Sequence, residues 1–411
     1  MRFDVDTYRE ISDSLVRNKS RSLLTGFGIF WGLFMLLFLV GGGKGLKQML
    51  SDTFEGFASN SIVMVSQNTS MPYKGLKEGR YWNFTNKDLD RLKLMIPELD
   101  VVTGQISVWS GLTAVREGNS VGIHIRGVRP EYSSIEAPKI KYGRYINEVD
   151  EKNGRKVCVI GKRIYNDLFH EGEDPCGEFL QVGTVYFQIV GVDMSSSMIN
   201  INGSARNAVT IPMSLAQQMY GRGDVVDVLC VTAKSGISSK TLEPRIREIM
   251  ARQHSFDSKD EPALLLLNLE QIFNMVDTLF RGVNFLIWLV GLGTLLAGAI
   301  GVSNIMMVTV KERTIEIGIR RAIGATPSDI LSQIIQESIA LTVLAGSAGI
   351  VFSVLILNMT EIITKNQAAF QINFGTAILA LALLGLLGIL AGLAPAYRAM
   401  KIKPVDAMRD E

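Results

Sequence analysis

The sequence predicts a membrane α-helical protein with four transmembrane helices and a large α+β extracytoplasmic domain. Two observations carry this. The chain is 47% hydrophobic over 411 residues with a mean hydropathy of +0.22, high for a water-soluble protein. Four runs, residues 23–43, 283–310, 338–360 and 374–395, contain no Asp, Glu, Lys or Arg, and each is long enough to cross a hydrocarbon core that needs roughly 20 apolar residues. Between residues 44 and 281 the pattern is that of a water-exposed domain.

The first run is longer than the roughly 7 to 15 apolar residues of a signal peptide, and no small-residue cleavage site follows it. Orientation follows from the flanking cations, which are retained on the cytoplasmic side. Arg9, Arg17, Lys19 and Arg21 precede the first span; Lys311, Arg313, Arg320 and Arg321 follow the second; Arg398, Lys401, Lys403 and Arg409 follow the fourth. The loop at 361–373 holds only Lys365, and Lys44 and Lys47 alone oppose the scheme. Both the N-terminal segment 1–22 and the tail 396–411 are therefore expected in the cytoplasm, with 44–281 and 361–373 outside.

Small residues recur along the spans: Gly28 and Gly32, the ladder Gly293, Ala297 and Gly301, and Gly388 with Gly392. Such spacing lets helix backbones approach closely, within one subunit or between two. Ionisable groups are missing from the spans, which disfavours a proton-driven carrier or an ion channel.

In the outer region, alternating stretches at 101–108, 122–128, 157–160 and 185–192 read as strands, and 86–95 and 241–253 as amphipathic helices, the first capped by Thr85 or Asn86. About 240 residues exceed what one core usually needs, so two subdomains are expected, with seams at 116–119 and 195–204. The net charge of +2 is too mild to imply nucleic acid. Cys158, Cys176 and Cys230, and His124, His170 and His254, lack metal-ligand spacing. An oxidising compartment would allow one disulfide, Cys158 with Cys176 being the nearest pair in sequence. Glu171, Glu173 and Asp174 read as a solvated turn, since the ligand spacing of a calcium loop is missing. No catalytic constellation and no metal site is read from the sequence.

The loop at 311–326 places Ile315, Ile319, Ala322 and Ile323 on one helical face, expected to lie against the spans, with Glu316 and Arg320 opposite at i, i+4 spacing. Gly324 ends this helix; Thr326, Pro327 and Asp329 then form the start of the next, which runs through 327–360. The pattern fits equally a helix resting on lipid headgroups and one that docks a partner.

The stretch Val302-Ser303-Asn304-Ile305-Met306-Met307-Val308, continued by Lys311-Glu312-Arg313-Thr314 and Glu316-Ile317-Gly318-Ile319-Arg320-Arg321-Ala322-Ile323-Gly324-Ala325, resembles the signature of the MacB/FtsX-like ABC permease family. Pro395-Ala396-Tyr397-Arg398-Ala399 and Pro404-Val405-Asp406-Ala407-Met408-Arg409 are similar to its closing motif, although Asp406 and Met408 stand where Glu and Leu are commoner. Asn18 to Thr25 and Asn60 to Val65 resemble the segments around its first span. Gly143-Arg144-Tyr145, Val159-Ile160-Gly161, Leu168-Phe169 and Phe187 to Val192 resemble its periplasmic core.

The resemblance implies a bacterial inner-membrane permease. It would work as a homodimer or with a related permease, driven by a separate ABC ATPase that binds ATP and magnesium. In this reading Glu312, Arg313, Glu316 and Arg320 meet the ATPase. The sequence contains no GxxxxGK[ST], so ATP hydrolysis is expected on the partner. Export of drugs, peptides or similar substrates is implied first, with a periplasmic adaptor and an outer-membrane channel as further partners. Lipoprotein release, and signalling to cell-wall hydrolases without transport, are the alternatives.

Overall fold

A computed structural model describes residues 19–54, 56–109, 111–195, 201–364 and 370–402. Arg9, Arg17, Asn18, Lys365, Lys403, Arg409, the motif at 404–409 and residues 196–200 of the second seam lie outside the described residues.

In chain order, α1 (Lys19–Thr53) precedes β1 (Ser61–Ser66), β2 (Phe84–Thr85) and α2 (Asn86–Met95). Then come β3 (Leu99–Val108), β4 (Thr113–Arg116), β5 (Asn119–Gly122), β6 (His124–Val128), β7 (Ile140–Gly143), α3 (Glu148–Asn153), β8 (Val157–Gly161) and α4 (Lys162–Leu168). β9 (Phe179–Val182), β10 (Val185–Asp193), β11 (Ala208–Pro212), α5 (Met213–Met219), β12 (Val225–Val226), β13 (Val228–Ala233), α6 (Glu243–His254) and β14 (Leu264–Asn268) complete the outer region. The chain closes with α7 (Leu269–Glu312), α8 (Thr314–Ala322), α9 (Pro327–Ile363) and α10 (Phe374–Met400). It divides into two compact units, Leu50–Asp277 and the two flanking parts together.

Among the described residues of the first unit, twelve strands form one mixed sheet, ordered β14-β1-β13-β3-β6-β11-β8-β10-β9-β4-β5 with β7 beside β10. Most pairs are antiparallel; β6 with β11 and β8 with β10 are parallel. Strands β8, β11 and β13 are buried along their whole length, as expected where both faces of a sheet are covered. One core gathers Ile62, Met64, Leu92, Leu229 and Ile246 under α2 and α6, and another gathers Ile125, Ile160, Tyr165, Phe187 and Val209 under α4 and α5.

Helix α2 starts at a capping box. The Asp88 carboxylate accepts from the Thr85 N–H (2.8 Å) and hydroxyl (2.9 Å), and from His254 at 3.1 Å. The expected strand at 122–128 is two strands that part company: β5 pairs with β4 at the sheet's far edge, whereas β6 sits in its middle between β3 and β11. Residues 116–119, a candidate seam in the sequence, make the tight turn of the β4–β5 hairpin, with Glu117 and Gly118 at φ of 47° and 87°. Two consecutive positive φ values match the turn that follows the natural twist of paired strands.

The three cysteines are free thiols, so the Cys158–Cys176 disulfide is not formed. Cys158 is fully buried in the α4 and α5 core, while Cys176 lies half-exposed beside Gly143.

Among the described residues of the second unit, four helices are long and apolar enough to cross a membrane, and each charge-free run lies inside a longer helix. Their packing uses glycine, but not always the glycines singled out by spacing. A Cβ built on Gly28 would lie 3.3 Å from the Cα of Gly298, and one on Gly32 3.3 Å from the backbone of Thr294 and Leu295. On α9 and α10, a Cβ built on Gly349 would lie 2.7 Å from the Phe30 carbonyl oxygen, one on Gly388 3.0 Å from the Ile339 Cα, and one on Gly392 2.9 Å from the Ser338 hydroxyl. Among the described residues, no other part of the chain comes within 4 Å of a Cβ on Gly293 or Gly301, and Ala297 is exposed. That ladder therefore points away from the other described helices of its own subunit.

Candidate functional site

The short helix α8 lies in sequence between the second and third spans. Helix α7 continues through Glu312, Arg313 leaves helical geometry at φ −96° and ψ 16°, and α8 begins at Thr314. Glu312 thus belongs to the end of the preceding helix. Within α8, Glu316 lies in the first turn and Arg320 and Arg321 in the last, an arrangement the helix dipole favours. Gly324, at φ +116°, reverses the chain. Thr326 then caps α9: the Asp329 carboxylate accepts from its N–H at 2.9 Å and its hydroxyl at 2.6 Å. These bonds hold the Asp329 carboxyl below its usual range.

Which side of α8 faces the spans differs from the sequence expectation. Ile315, Ile319 and Ile323 are 53%, 45% and 83% exposed, and Ile317 and Gly318 are buried instead. The physical reason lies in the arginines, which reach inward to polar acceptors on α9 and α10 and so turn the isoleucine stripe outward.

Arg313 donates to both carboxylate oxygens of Glu316 (2.9 and 3.0 Å) and to Glu337 of α9 at 2.8 Å. Bonding to Glu316, against the opposing effect of burial, and the charge of Glu337 raise the Arg313 pKa and keep the guanidinium charged. Arg320 pairs with Glu316 at 3.0 Å and donates to Gln333 of α9 at 2.8 Å. Arg321 donates to the carbonyls of Met400 (2.9 Å) and Ile402 (2.6 Å), at the end of α10, where unsatisfied helix carbonyls are ready acceptors. Arg313, Glu316, Arg320, Gln333, Glu337 and Thr309 line a cavity of about 20 Å³, room for one water.

Of the four residues singled out in the sequence, Arg313, Glu316 and Arg320 are brought together around α8 and α9, while Glu312 sits on the last residue of α7. Gln333 and Glu337 were missed. The signal was present: Glu337 is the acid immediately before the charge-free run at 338–360, four residues after Gln333, hence on the same helical face.

The matches to known families divide along these lines. Residues 22–249 match the MacB-like periplasmic core domain and residues 288–404 the FtsX-like permease C-terminal domain. The pyoverdine export ATP-binding/permease protein PvdT of Pseudomonas syringae pv. syringae is 30% identical over 396 residues, covering 96% of this chain and 58% of the relative. The macrolide export ATP-binding/permease protein MacB of Bdellovibrio bacteriovorus is 27% identical over 400 residues, covering 97% of this chain and 60% of that protein. This chain thus spans under two thirds of the length of these relatives. The crystal structure of the periplasmic region of MacB from Actinobacillus actinomycetemcomitans aligns over 55% of this chain and 95% of its own, with 17% identity and a TM-score of 0.43. With its periplasmic core and its permease helices both matched, the chain is a multi-pass membrane protein of the MacB/FtsX-like ABC permease family.

Proposed function

We propose that the chain is the permease subunit of an ABC-type mechanotransmission exporter in the bacterial inner membrane. A separate ATPase, holding ATP and magnesium, works on α8 from the cytoplasmic side, and the periplasmic domain changes conformation in response. The observation that carries this is α8 itself: a short helix fastened to α9 and α10 by three arginines, with an outward face left for a partner. Charge-free spans suit a lever better than an ion path. Export as the task draws support from relatives named for pyoverdine and macrolide export; drugs, peptides or similar molecules are the substrate class, and a periplasmic adaptor with an outer-membrane channel would complete the route.

The ATPase meets Ile315 and Ile319, flanked by the exposed Glu312 and Glu316. The Ile315→Asp, Ile319→Asp double variant leaves the arginine ties in place. Co-purification with the ABC ATPase and stimulation of its hydrolysis should both fall at least tenfold, while the periplasmic domain stays folded by near-UV circular dichroism. A helix that merely rests on headgroups predicts unchanged co-purification, and that result would remove α8 as the docking element.

A further inference from the structure

The contacts of Glu337 go beyond docking. It is 8% exposed, sits on α9 one residue before the charge-free run, and accepts from Arg313, which also holds Glu316 of α8 through two further hydrogen bonds. A buried carboxylate bound to a guanidinium is costly to separate, because removing one partner strands the other without water. The bond is therefore a fixed joint between two helices, in contrast to an exposed surface pair of little consequence. The Arg320–Gln333 bond lies one turn nearer the start of α9 and prevents rotation about that joint. The Arg321 bonds to Met400 and Ile402 secure α10 in the same way.

We propose that Glu337 and Arg313 form the pin through which displacement of α8 is passed into the third span. Glu337 is thus a positioning residue for coupling that takes no part in binding the ATPase. This rests on the reading of α8 as the docking element, and the two can fail separately.

The test uses the full chain with its ABC ATPase in nanodiscs, in a Cys176→Ser background. An environment-sensitive fluorophore is placed at Ile363→Cys, an exposed position at the far end of α9. ATP with vanadate should shift the emission of the parent chain. Glu337→Gln should keep wild-type ATPase co-purification and lose at least four fifths of that shift. The exchange Arg313→Glu with Glu337→Arg should recover at least half of it, an outcome that a merely destabilised helix would not give. A wild-type shift in Glu337→Gln, loss of ATPase co-purification in that variant, or no recovery in the exchanged pair overturns the proposal. An ATP-insensitive parent chain overturns it too. Unchanged co-purification in the Ile315→Asp, Ile319→Asp variant instead strikes at the docking reading alone.

Discussion

Gly28 and Gly298 meet backbone to backbone. A Cβ on Gly298 would lie 3.0 Å from the carbonyl carbon of Gly28 and 3.1 Å from the Ile29 nitrogen. Real Cβ atoms rarely come this close, and neither atom belongs to a side chain that can turn aside. Gly28 is therefore used within one subunit, whereas Gly293, Ala297 and Gly301 present a face that the other described helices leave open.

Gly298→Leu should accordingly destabilise the helical unit by about 1 to 3 kcal/mol, the usual range for overpacking, read as a lowered thermal midpoint in detergent. Gly301→Leu should leave the midpoint of the monomer unchanged and weaken self-association in size-exclusion chromatography with light scattering. Equal thermal losses for both substitutions would contradict this division of roles.

Sidedness is tested by cysteine labelling in intact cells. A membrane-impermeant maleimide should modify Asn119→Cys, at the exposed hairpin turn, and spare Ser328→Cys at the start of α9. The reverse pattern would invert the proposed topology.

Acid sensitivity of the periplasmic domain should trace to His124. Its ring stacks on Trp109 at 4.8 Å between centroids, and burial, assisted by the nearby Arg126 charge, lowers its pKa from 6.5 to about 4. The unfolded chain binds the proton more readily between these values. Stability is then full above pH 6.5 and declines as the pH falls toward 4, by about 3 kcal/mol for this one group. Urea midpoints of the full chain at pH 7.5 and pH 4.5 should differ, and His124→Phe should remove most of that difference.

The buried pair Arg126–Glu136, at 2.6 Å and with both residues under 9% exposed, should be intolerant of losing one member. Glu136→Ala leaves a guanidinium without its counter-charge and should cost about 3 to 5 kcal/mol. A loss below 1 kcal/mol in urea melts of the full chain would show that Arg126 finds other compensation.

Much of this was legible in local pattern. Residues 86–95 carry both a cap and an apolar face, and they form α2 between those limits. The spans were legible because a hydrocarbon solvent demands long uncharged helices. What was not legible was non-local. Ile123 lies between two strands that sit far apart in one sheet, and nothing at residues 122–128 announces that separation. The isoleucines of α8 misled for a related reason: helical periodicity says that Ile315, Ile319 and Ile323 share a face, but not which way it points. That direction depends on Glu337, Gln333 and the α10 terminus offering acceptors to arginines 13 to 81 residues away in sequence.

The pairing of β1 with β14 has a mechanical side. The strand that follows α1 and the strand that runs directly into α7 lie antiparallel, from Ile62 opposite Asn268 to Ser66 opposite Leu264. The end of the ladder nearest α7 is also the end at which β1 begins. A sideways parting of the chain at those two points would peel the ladder from its open end, one hydrogen bond at a time, each resisting with only about 0.5 to 1.5 kcal/mol. A shared tilt loads none of those bonds. The ladder is thus a weak restraint against divergence of β1 and β14 and transparent to motion that the two strands share.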